Sequence, residues 1–124
     1  METKFLRCEH CGQIVEVVKD AGVAIMCCGQ KMTELIPGTT DAAVEKHVPV
    51  YEVQDGIVTV TVGEVEHPML EVHYIEWIEL LTNKGTKRVQ LSFDQEPKAS
   101  FAISKDEVVE AVYAYCNLHG LWKK

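Results

Sequence analysis

The chain has no surplus of basic residues, no long apolar run and no leader-like start. Lys and Arg total 12 against 19 Asp and Glu, a formal net charge of -7. Phosphate recognition needs a surplus of Lys and Arg, so a nucleic-acid role is disfavoured. No stretch approaches the ~18 apolar residues of a membrane span. The N-terminus, Met1-Glu2-Thr3-Lys4-Phe5-Leu6-Arg7-Cys8, carries charge where a secretory leader has its apolar core, and a cytoplasmic location is expected. Internal repeats and low-complexity tracts are missing. So are a Ser/His/Asp arrangement and a zincin helix, which disfavours a hydrolase.

What is there fits a folded protein. Of 124 residues, 47% are hydrophobic and 25% charged, a balance that argues against disorder. The length allows one ordinary domain, or one domain plus a lobe that needs a metal staple. The cysteine count of five is odd. In a reducing compartment these thiols read as metal ligands, not as a disulfide framework. Four of them fall in residues 1–36. Pro37-Gly38-Thr39-Thr40-Asp41 is a turn-rich joint, and residues 37–124 form a second segment dominated by β-branched and aromatic side chains.

That second segment reads as antiparallel strands. Val48–Val53 and Ile57–Val62 flank Gln54-Asp55-Gly56, and Asp-Gly is a strong hairpin signal. Glu71–Leu81 is long and apolar-rich. Asn83-Lys84-Gly85 turns it back into Thr86–Phe93, where Lys87, Val89, Leu91 and Phe93 alternate with Arg88, Gln90 and Ser92, the period of a half-buried strand. Ser100–Ile103 follows another turn. Ser104-Lys105-Asp106-Glu107 fits a helix capping box, yet the Val and Tyr content of 108–115 favours a strand. The expected fold is mainly β, a sandwich or barrel.

Two constellations carry chemistry. Cys8-Glu9-His10-Cys11 is a C-x-x-C knuckle, and Cys27-Cys28-Gly29 adds a vicinal pair. Four thiolates suit tetrahedral zinc or a single iron. A lobe of about 36 residues cannot build a sufficient apolar core, so the metal is structural there. Zinc ribbons usually repeat the C-x-x-C; here that repeat is missing, and the motif resembles desulforedoxin, a small iron module. His10 reads as a solvent-facing loop residue.

The second constellation is His47, His67, His73, His119 and Cys116. Singly each is weak, since a lone strand histidine is more often an ordinary core or surface residue. Cys116-Asn117-Leu118-His119 is stronger, because a thiolate and an imidazole three positions apart can meet at one ion. Together these are all the His and Cys outside the first segment.

The order of C-x-x-C, C-C, Glu45-Lys46-His47-Val48-Pro49, His67-Pro68, Val72-His73 and Cys116-Asn117-Leu118-His119-Gly120-Leu121-Trp122 resembles desulfoferrodoxin, the two-iron form of superoxide reductase. The likeness covers nearly the whole chain. It implies two irons: one on Cys8, Cys11, Cys27 and Cys28, the other within an equator of His47, His67, His73 and His119 with Cys116 axial. It further implies an open sixth position for superoxide, Glu45 as a carboxylate that closes on the oxidised iron, and Lys46 beside the open position. An immunoglobulin-like β-sandwich over 37–124, a homodimer and rubredoxin as electron donor are also implied.

The implied reaction joins superoxide, one electron and two protons to give hydrogen peroxide. An acidic surface opposes an anionic substrate, and Lys46 is a local remedy, since distant carboxylates are screened beyond ~8 Å. Two rivals explain less. A blue-copper carrier usually has an axial Met after the C-terminal His, which is missing here, and four histidines are too many. A zinc-stapled binding module leaves His47, His67, His73 and Cys116 without a role.

Overall fold

A computed structural model of the chain describes residues 3–124. It divides into two compact units, one running to Ile36 and one spanning Pro37–Lys124. No helix among the described residues is long and apolar enough to cross a membrane.

The first unit is built from five very short strands: β1 (Phe5–Arg7), β2 (Ile14–Glu16), β3 (Met26–Cys27), β4 (Gln30–Lys31) and β5 (Thr33–Glu34). They form a three-stranded sheet, β2-β1-β5, and a two-stranded ribbon, β3-β4. One small buried cluster joins Leu6, Cys8 and Met32, with Val15, Val17 and Cys27 packed against it, and Phe5 is buried as well. So small a core needs a cross-link or a metal.

The second unit begins with a single helical turn, α1 (Val44–His47), and continues as seven strands. These are β6 (Pro49–Gln54), β7 (Ile57–Val62), β8 (Ile75–Thr82), β9 (Gly85–Gln90), β10 (Lys98–Ala102), β11 (Val109–Cys116) and β12 (Gly120–Lys123). All pairings are antiparallel, in two sheets ordered β10-β7-β6 and β12-β11-β8-β9. Val58, Val60 and Val62 of one sheet meet Ile78, Leu80, Val112 and Ala114 of the other in one core. Period-two alternation explains β7: its valines are buried, while Ile57 and Thr59 are exposed. Asp55 and Gly56 turn the hairpin with φ of 53° and 75°, the left-handed pair that an Asp-Gly dipeptide favours.

The strand expectations hold with two main changes. The apolar run from Glu71 does not all pair: β8 starts only at Ile75, and Glu71–Tyr74 form a tight loop closed by reciprocal Leu70–His73 backbone bonds of 2.9 and 3.0 Å. The run from Thr86 leaves the ladder after Gln90, and Phe93 is exposed. The ambiguous stretch is strand β11. The Ser104–Glu107 capping geometry is present without a helix, since the Ser104 amide donates to Glu107 Oε1 at 3.0 Å but the chain turns directly into β11.

Glu107 also accepts from Thr82 Oγ1 at 2.5 Å and pairs with Lys87 at 3.5 Å. The Thr82 hydroxyl first, then the Ser104 amide and Lys87, hold its carboxyl down at about 2, against an ordinary 4.5. A depressed carboxyl stabilises the fold fully above its unfolded value and loses that contribution as pH falls toward the folded one. Glu107→Gln should therefore destabilise the chain above pH 4.5, with the gap to wild type closing as pH falls toward 2. Urea midpoints across that range check this; a gap independent of pH would contradict it.

Candidate metal centres

The knuckle cysteines lie between β1 and β2. The Cys8 amide donates to Gln13 O at 2.9 Å and the Gly12 amide to Cys8 O at 2.8 Å, closing the turn. Cys27 ends β3. Cys28 and Gly29 are the two central residues of the β3–β4 hairpin, with φ of 52° and 73°. A left-handed Cys28 is how adjacent cysteines diverge from one peptide unit, and non-glycine residues rarely take that conformation. The four Sγ atoms lie within 4.8 Å of one another, with Cys11 and Cys27 at 3.7 Å. A tetrahedral ion with metal–sulfur bonds of ~2.3 Å separates its sulfurs by about 3.8 Å. A disulfide would need about 2.0 Å, and all five cysteines are free. The Cys11 amide, and after it the His10 amide, lower the Cys8 thiol to about 6, while the neighbouring Cys8 and Cys11 thiols raise Cys27 to about 12. Four thiolates at this spacing require a cation. His10 is exposed and stands outside the cluster.

The second cluster gathers at one end of the sandwich. His47 ends α1 just before β6, His67 and His73 lie between β7 and β8, Cys116 ends β11 and His119 lies in the turn before β12. Ring centroids of successive histidines are 4.7 Å (His47–His67), 4.8 Å (His67–His73), 5.0 Å (His73–His119) and 4.9 Å (His119–His47). The His47–His73 diagonal is 6.5 Å, close to the diagonal of a square with those sides. Neighbouring rings stand edge to face at 75–88°. Cys116 shares the strand parity of Val112 and Ala114 and is wholly buried among the core residues. Its Sγ lies within 4.8 Å of the ligand atoms of His47, His67 and His73, and 3.8 Å from His119 Nδ1. The thiol thus caps the square from the core side.

Proton positions follow from the hydrogen bonds. His47 Nδ1 donates to Ala43 O and His67 Nδ1 to Pro68 O, each at 2.7 Å. A neutral imidazole so tied carries its lone pair on Nε2. The Nε2 atoms of His47 and His67 face each other at 3.2 Å. Protonating one is disfavoured: burial lowers both, His67 to about 4, and each nearby ring adds to the effect. His73 is lowered too, chiefly by burial, and its Nε2 is buried without a partner among the described residues. Two lone pairs, an unpartnered ring nitrogen and a thiol converging on one space fit a cation. Burial raises the Cys116 thiol, while the Leu118 and His119 amides favour its thiolate.

All nine predicted ligands fall into these two clusters. Glu45 and Lys46 ride on α1 beside His47, both exposed. Three further residues escaped the sequence reasoning. Trp122 stacks on His47 at 5.0 Å and donates from Nε1 to His119 O at 3.0 Å. Asn117 bonds the loop carrying His73. Gly63 is buried at φ +89°, and a Cβ there would lie 2.3 Å from Val65 O and 2.8 Å from the carbonyls of Glu45 and Lys46. A glycine directly after a strand and four residues before a ligand was the available signal.

A β-sandwich with an imidazole–thiolate centre, preceded by a tetrathiolate unit, defines a class of two-centre metalloprotein. Comparison identifies its family. The desulfoferrodoxin family model matches residues 39–124, and that of the desulfoferrodoxin N-terminal domain matches residues 2–35. The chain belongs to the desulfoferrodoxin family. It is 49% identical to a desulfoferrodoxin homolog of Archaeoglobus fulgidus, over 94% of this chain and 92% of that one. The crystal structure of a superoxide reductase from Treponema pallidum matches with a TM-score of 0.84 at 38% identity, covering 100% of this chain and 99% of that one. A superoxide reductase from Giardia intestinalis matches 64% of this chain and 95% of its own, with a TM-score of 0.55 at 37% identity.

Gly63→Ala should displace the turn bearing Glu45, Lys46 and His47, because the blocking atoms are backbone. Overpacking of this kind costs about 1–3 kcal/mol. Thermal unfolding of the metal-free chain tests this; an unchanged midpoint would contradict it.

Proposed function

We propose that the chain reduces superoxide to hydrogen peroxide at the second centre, with iron as the metal at both. The observation that carries this is the square of four imidazoles capped by one buried thiol. Imidazole suits ferrous iron, and one thiolate leaves the site a single positive charge. On this reading, the side of the square away from the buried sulfur would take a small anion. The family membership, and the names of the Treponema and Giardia relatives, support the same substrate. Bound iron would supply one-electron chemistry, ferrous to ferric, and superoxide takes up that electron with two protons.

Position at or beside the two centres and the family resemblance support the following residue roles. His47, His67, His73, His119 and Cys116 hold the catalytic iron. Cys8, Cys11, Cys27 and Cys28 hold the other, which makes residues 1–36 and 37–124 separate domains. Glu45 offers a carboxylate to the oxidised centre. Lys46 draws superoxide inward. A unit charge pair ~4 Å apart is worth about 1 kcal/mol in water, or about fivefold in rate. A rubredoxin-type carrier supplies the electron, two copies of the chain form a dimer, and a reducing compartment such as the cytoplasm suits five free thiols.

Superoxide consumption with oxygen monitored tests the reaction: peroxide without oxygen is expected, and oxygen evolution would mean dismutation instead. Lys46→Ile should slow capture about fivefold and flatten its dependence on ionic strength. Second-order rates equal to wild type at every salt concentration would remove Lys46 from the account.

A further inference from the structure

Two of the four imidazole rings are tied to backbone carbonyls, and the residue carrying a third is tied through its main chain. His47 and His67 each donate Nδ1–H to a backbone carbonyl, of Ala43 and Pro68. The carbonyl of His119 accepts from the Trp122 indole at 3.0 Å. The ring of His73 makes no hydrogen bond among the described residues, and it sits on a tight loop whose tip, Val72, is 74% exposed. Something else must set where this ring points.

The bonds on either side of His73 lead to one residue. Asn117 Oδ1 accepts from the Tyr74 amide at 2.9 Å, and Asn117 Nδ2 donates to Val72 O at 3.0 Å. The Asn117 amide donates to Tyr74 O at 3.2 Å. The side chain thus grips the backbone immediately before and after His73, across more than 40 positions of sequence. Its own position is fixed between Cys116 and Leu118. An amide group is needed, since the two contacts demand one acceptor and one donor on the same short side chain.

We propose that Asn117 is a positioning residue: it locks the His73 loop to the Cys116–His119 turn and so aims His73 Nε2 at the metal. It does through the main chain what the Ala43 and Pro68 carbonyls do for their own histidines. The inference rests on the metal-binding role of the second centre and says which residue completes it.

The test uses the full iron-loaded chain as Asn117→Ala, His73→Ala and the double variant. Release of ferrous iron from the second centre to a chelator is followed after reduction, with the colour of the tetrathiolate centre, recorded in the oxidised protein beforehand, reporting an intact fold. Loss of a group that orients a ligand typically costs about 10–100-fold in metal affinity. Asn117→Ala should speed release by about that factor, and adding it to His73→Ala should speed release no further. Independent, multiplying effects would overturn the proposal, as would release from Asn117→Ala at the wild-type rate. If the alanine variant does not fold, Asn117→Ser takes its place in the cycle, since it cannot span both contacts. A wild-type chain that holds one iron would instead overturn the two-centre function, a separate outcome.

Discussion

Two imidazole nitrogens that cannot both stay bare are the constraint on which the second centre depends. The carbonyls of Ala43 and Pro68 hold protons on the far sides of His47 and His67. Their Nε2 lone pairs then meet at 3.2 Å, in a place too buried for protonation to be the remedy near neutral pH. His73 Nε2 is stranded beside them. In a core made mostly of apolar side chains, so many unsatisfied acceptors would be costly. A cation turns that cost into binding energy, and folding and metal uptake become linked.

The sandwich makes this convergence cheap in sequence terms. Antiparallel strands return repeatedly to the same end, so segments as far apart as α1 and the β11–β12 turn deliver side chains to one spot. Strand parity sends Cys116 inward with Val112 and Ala114, while the histidines come from α1 and from loops. The thiolate is therefore the deep ligand and the imidazoles the surrounding ones. The tetrathiolate unit works by a different device. There the left-handed Cys28 gathers into one cluster of sulfurs a vicinal pair that an extended strand would send to opposite faces.

Much of this was legible beforehand. A hairpin announced itself through Asp55-Gly56, and the alternation of Lys87, Val89 and Leu91 with Arg88 and Gln90 marked a half-buried strand. The ligands were legible because chemistry restricts them to His and Cys, which are scarce. What stayed hidden has a common cause. Asn117, Trp122 and Gly63 act through backbone groups brought near only by folding, and asparagine, tryptophan and glycine have many ordinary uses. The length of β8 was overestimated because Val72 and Tyr74 look like strand residues, yet the chain is bent there to present His73. Local β propensity yields to a loop that a ligand requires.

Crystallographic anomalous scattering measured at the iron edge on the reduced protein tests the central claim most directly. Two iron peaks per chain are expected, one among the sulfurs of Cys8, Cys11, Cys27 and Cys28 and one at the centre of the four imidazoles with Cys116 beneath it. A single peak confined to the cysteines, or a second centre from which His47 or His73 turns away, would contradict the account.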